Sequence, residues 1–98
     1  MKLNLNQEFK ALNGEVIKSE SGNLTLKSIC SEALLNTSPE DKLSGEDKAK
    51  RYQLAHNIFN SKAANFEITV EEVALLKNLI GNLFTPLVVG QAFKFLEN

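Results

Sequence analysis

The chain is 98 residues long, 43% hydrophobic and 23% charged, and its 11 basic and 12 acidic side chains leave a formal net charge of −1. That length holds one domain, and 31 residues of Leu, Ile, Val and Phe at so small a charge exclude a disordered tail. No apolar run approaches the roughly 18 residues of a membrane span, the lone cysteine fits a reducing compartment, and the near-neutral charge supplies no general attraction to phosphate.

Residues 1–23 read as a hairpin region. Met1-Lys2-Leu3 mimics the basic entry of a signal peptide, but Asn4, Asn6, Gln7 and Glu8 interrupt the run where an apolar stretch belongs. Leu3, Leu5, Gln7 and Phe9 alternate instead with Asn4, Asn6 and Glu8, the period of a strand. Asn13-Gly14, between Ala11-Leu12 and Val16-Ile17, is a hairpin signal, because both residues tolerate the positive φ of a type I′ turn. Residues 19–23 form a second turn.

Residues 24–98 read as four helices. The first, over Leu26 to about Asn36, places Leu26, Ile29, Cys30, Ala33 and Leu34 on one stripe behind Thr25 as N-cap, and Pro39 stops it. The second starts after Ser44, with Glu46 and Asp47 at the positive end of its dipole, and frays near Ser61. Tyr52, Ala55 and Phe59 form one apolar row on it, and Leu54 and Ile58 a second. Thr69-Val70-Glu71-Glu72 is a capping box opening a third helix, whose stripe is Val73, Leu76, Leu79, Ile80 and Leu83. The fourth follows at once, with Thr85 as N-cap and Pro86 at the first helical position. The expected core is Ile29, Cys30, Leu34, Tyr52, Ala55, Phe59, Val73, Leu76, Ile80, Leu83 and Phe93.

The entries to the first and third helices echo one another. Leu24-Thr25-Leu26 and Ile68-Thr69-Val70 each set an apolar residue before a threonine cap, so a short strand pair near residues 24 and 67 is expected. The layout is similar to paired EF-hands in geometry only. The loop positions that would carry calcium-binding carboxylates hold serine, alanine and asparagine instead. The fold class is therefore α+β and mainly α, one compact domain over 1–98 with an N-terminal hairpin and four short helices.

Few residues offer chemistry. His56 has no assignable nucleophile beside it, and Cys30 on an apolar stripe reads as a small hydrophobe. No catalytic set, metal set or cofactor-binding motif can be assembled. Lys48, Lys50 and Arg51 make the only basic concentration, diluted by Glu46 and Asp47, and are the candidate nucleic-acid contacts. The fourth helix carries Leu87, Val88, Val89, Ala92, Phe93, Phe95 and Leu96, apolar content reaching more than halfway round. On that ground Val89 and Phe95 are expected to face outward as an interface, for a partner protein or a symmetric homodimer through residues 86–96, with Phe93 turned inward.

The stretches Lys50-Arg51-Tyr52-Gln53-Leu54-Ala55 and Phe84-Thr85-Pro86-Leu87-Val88-Val89-Gly90-Gln91, with Phe9-Lys10-Ala11-Leu12-Asn13-Gly14-Glu15 before them, resemble small proteins encoded by tailed bacteriophages and prophages. The resemblance covers nearly the whole chain and transfers no active site. It implies an accessory protein in a bacterial host cytoplasm, acting without catalysis through protein contacts as an assembly factor, adaptor or inhibitor of a host protein. The alternative is a nucleic-acid-associated regulator using Lys48, Lys50 and Arg51.

Overall fold

The computed structural model describes residues 2–19, 22–36, 42–61 and 66–97. In chain order these form β1 (Lys2–Leu3), β2 (Lys18–Ser19), β3 (Gly22–Asn23), α1 (Leu26–Leu35), α2 (Gly45–Phe59), β4 (Phe66–Glu67), α3 (Val70–Leu83) and α4 (Pro86–Leu96). The fold is α+β and mainly helical, with two small antiparallel strand pairs, β1 with β4 and β2 with β3.

The helix starts follow from their caps. Ser44 Oγ accepts the Asp47 amide at 3.1 Å. The Thr69–Glu72 box closes in both directions, at 3.1 Å for the Glu72 amide and 2.9 Å for the Thr69 amide. Thr85 holds the N-cap position of α4, but its hydroxyl makes no capping bond. The N3 amide such a bond would serve, that of Val88, donates instead to the Thr85 carbonyl at 3.1 Å. Thr25 caps α1 more loosely, at 3.4 Å to the Ser28 amide. The N-terminal segment completes that cap, since the Leu26 and Lys27 amides donate to the Gln7 and Leu5 carbonyls at 2.9 and 3.1 Å. These are two of the first-turn donors that a helix cannot satisfy internally.

The expected pairing of residue 24 with residue 67 does not form. Leu24 has no backbone group left for it. Its amide donates to Ile17 at 2.8 Å and its carbonyl accepts from Phe9 at 2.9 Å, while the Ile17 amide donates to the Phe9 carbonyl. Three segments thus close a ring of hydrogen bonds, and Phe66–Glu67 pairs with Lys2–Leu3 instead. Residues 2–9 therefore touch both threonine-capped entries in turn.

The Asn13-Gly14 turn also differs from the type I′ expectation. Gly14 has φ +91° but Asn13 does not have a positive φ. The Gly14 amide donates to Ala11 and the Ala11 amide to Glu15, a three-residue loop with glycine in the left-handed position. Asn13 Oδ1 accepts the Glu15 amide at 3.0 Å and holds the asparagine in that form.

One core joins the elements. α1 packs against α2 and α3, and α4 packs against α3. Lys27 Nζ donates to the Ser61 carbonyl at 2.6 Å, which sets the start of α1 beside the end of α2. Ile29, Cys30, Leu34, Ala55, Val73, Leu76 and Ile80 are buried as expected, joined by Leu3, Leu5, Phe9, Leu26, Ala33, Leu54, Ile58, Ile68, Ala92 and Leu96. Tyr52, Phe59 and Leu83 are exposed, contrary to expectation. On α2 the buried set is Leu54, Ala55 and Ile58. At about 100° per residue, Tyr52 and Phe59 then fall roughly 100° away from its centre.

Both phenylalanines of α4 are half-buried, and it is Phe95 rather than Phe93 that packs against the core cluster. Phe95 and Val89 are half-buried and pack on the core. The Phe95 ring meets Phe9 edge to face, with centroids 5.2 Å apart and planes at 79°. Phe93 lies under Lys77 Nζ, 5.4 Å from its centroid, with its ring edge 3.7 Å from where a Cβ on Gly81 would stand. The reason is the N-terminal segment, which covers the surplus apolar side of α4. Gln91 fastens it there: its Oε1 accepts the Lys10 amide at 2.8 Å and its Nε2 donates to the Lys10 carbonyl at 2.7 Å.

Candidate functional site

The apolar surface left open lies on the outer flank of α1 and α2. Leu35, Tyr52 and Phe59 are 59%, 58% and 62% exposed. They rim a groove of about 180 Å³ whose walls also include Ser31, Ala55, His56 and Asn60. Local sequence explains the placement. Tyr52, His56 and Phe59 follow one another at i+4 and i+7 on α2, so they stand in a row. The antiparallel packing of α1 brings Ser31 and Leu35 alongside. The Tyr52 and His56 rings are tilted neighbours at 6.0 Å. Asn60 closes the end of the helix by donating through its amide N–H and its Nδ2 to the His56 carbonyl, at 3.0 and 2.9 Å. Ser31 Oγ is buried in the groove wall with no hydrogen-bond partner.

A second depression, of about 590 Å³, opens on the opposite flank of α2. Asp47, Lys50, Arg51, Leu54 and Asn57 of α2 face Glu72 and Leu75 of α3 across it. The three candidate nucleic-acid contacts are not gathered here into one surface. Lys48 and Lys50 are both exposed but stand roughly 160° apart around the helix. Arg51 is half-buried, its Nη1 out of contact with solvent, in a cleft that also holds two carboxylate residues. Opposite charges share this cleft in equal number, which gives a phosphate backbone no net field to follow.

Neither titratable candidate is set up as a reactive group. Cys30 is fully buried, and burial pushes its thiol up from 9.0 to about 12, so it stays protonated and inert at neutral pH. His56 lies on the exposed side of α2. Among the described residues no three of His, Cys, Asp or Glu stand close enough to share a metal ion, and no helix is long and apolar enough to cross a membrane.

Sequence reasoning placed its candidate interface on α4 and did not single out the exposed apolar row of α2. The signal was present in both helices: each carries more apolar side chains than one buried stripe can use. On α4 the N-terminal segment takes up the surplus. On α2 nothing among the described residues covers Tyr52 and Phe59. Comparison with protein-family models, with curated proteins and with solved structures finds no match to this chain.

Proposed function

We propose that this chain is a non-enzymatic protein-binding module, a small accessory protein of phage or prophage type that works in a bacterial cytoplasm. The observation that carries the binding reading is the open apolar row of Leu35, Tyr52 and Phe59 around a groove whose walls also include Ser31, Ala55, His56 and Asn60. Aromatic side chains so exposed and contiguous are what protein contacts use as anchors. The phage setting rests on the resemblance of the Lys50–Ala55 and Phe84–Gln91 stretches.

The test compares proteins captured from a bacterial lysate by the immobilised chain, by Phe59→Ser and by Leu12→Ser. Leu12 is 96% exposed on the hairpin, away from the groove. Capture is expected to fall about thirtyfold with Phe59→Ser, matching the ~2 kcal/mol of an anchoring aromatic, and to persist with Leu12→Ser. Identical capture by all three would refute the reading. A gel shift at about 50 mM salt that weakens steeply as salt rises would replace it with nucleic-acid binding.

A further inference from the structure

We infer that the groove between the loop at residues 10–14 and α4 binds a small amphiphilic anion, an organic acid whose short apolar body lies on the groove floor and whose carboxylate pairs with Lys10 and Lys94. This site stands apart from the α1–α2 face and does not depend on whether that face binds protein.

The groove encloses about 470 Å³, within the roughly 300–1,000 Å³ of small-molecule sites. Its two sides are already joined. Gln91 of α4 accepts the Lys10 amide through Oε1 at 2.8 Å, and its Nε2 donates to the Lys10 carbonyl at 2.7 Å and to the Leu87 carbonyl at 3.0 Å. The loop is thus clamped to the helix before any ligand arrives, which spares the ligand the cost of ordering it.

Charge selects the ligand. Lys10 and Lys94 stand on opposite sides of the groove, and no Asp or Glu is among its lining residues. Both lysines are exposed, and neither ammonium makes a hydrogen bond or an ion pair with a described residue. The α2–α3 cleft mixes both signs instead, and the walls of the α1–α2 groove hold no lysine, arginine or carboxylate. Two free cations over one apolar depression favour an anion that brings apolar surface of its own, to meet Leu12 and Leu87.

Gly90 keeps the floor open. It lies inside α4, where glycine is destabilising relative to alanine, yet a Cβ there would meet nothing within 4 Å. Inside α3 the case differs, since a Cβ on Gly81 would lie against the Phe93 ring at 3.7 Å. No packing contact within this chain calls for a glycine at position 90. What its bare backbone provides is room in the groove.

Titration of the isotopically labelled chain with octanoate, with acetate and with octylammonium, followed by amide chemical shifts, tests the inference. Octanoate is expected to move the Gly14, Gly90, Gln91 and Lys94 amides along a saturable curve with a Kd on the order of 1 mM. Acetate, which lacks the tail, and octylammonium, which reverses the charge, should each bind at least about tenfold more weakly. Gly90→Leu fills the floor and should weaken octanoate at least about tenfold, while its thermal midpoint stays at or above that of the parent chain. The double variant Lys10→Gln, Lys94→Gln should weaken octanoate by at least about tenfold as well, and it keeps the test decisive if the leucine variant misfolds. Absence of a saturable shift up to about 20 mM octanoate overturns the inference. So does an equal response to octylammonium, binding indifferent to both variants, or shifts confined to Tyr52, His56 and Phe59.

Discussion

Replacing Phe9 tests whether the N-terminal segment is part of the core or an appendage to it. Phe9 is completely buried, its ring packed edge to face on Phe95 of α4. Removing a ring from such a site costs about 3–5 kcal/mol, the transfer loss plus the cavity left behind. A domain of this size has about 5–15 kcal/mol in total, so Phe9→Ala consumes a large part of it. With a urea slope of roughly 1–1.5 kcal/mol per molar, the unfolding midpoint should fall by about 2–5 M. The ring contact is isolated by a double-mutant cycle of Phe9→Leu and Phe95→Leu, which keeps most of the apolar volume. Its coupling should be about 0.5–1.5 kcal/mol. The same cycle between Phe9 and Phe93 should be additive within about 0.5 kcal/mol, because Phe93 sits instead against Lys77 and Gly81. A loss below about 1 kcal/mol for Phe9→Ala, or stronger coupling to Phe93 than to Phe95, would refute the packing described.

Two further outcomes follow from the caps and the buried thiol. Thr69→Ala should cost about 1–2 kcal/mol in chemical denaturation, because it breaks a capping box, whereas Thr85→Ala should cost under about 0.5 kcal/mol, since that hydroxyl caps nothing; equal losses would contradict the geometry. Burial raises the Cys30 thiol to about 12 from an ordinary 9.0, so it ionises first in the unfolded chain and its contribution, complete below pH 9, is lost as pH rises toward 12. Relative to Cys30→Ala, the parent should lose about 1 kcal/mol more between about pH 9 and pH 10, and parallel pH profiles would show the thiol to be solvated.

The sequence alone determined whatever depends on near neighbours. Ser44, Thr69 and Pro86 mark helix starts because a cap is a matter of residues within one turn, and the α1 and α3 stripes were legible because their apolar residues form a single row. Cys30, on such a row, was read correctly as buried. The tertiary structure decided everything in which two segments compete for one surface. On α2, the rows Tyr52–Ala55–Phe59 and Leu54–Ile58 are equally apolar, and only the docking of α1 turns Leu54, Ala55 and Ile58 inward. On α4, periodicity could not show that Phe9 covers Phe95, since the contact joins residues 86 positions apart and leaves no local pattern. Leu24 likewise had two strand partners of similar character, and its backbone groups went to Phe9 and Ile17 once the hairpin closed. The candidate docking face emerged from the same competition. Its residues were all visible as apolar, but which of them remained in water was settled by how the N-terminal segment and α1 used the room available.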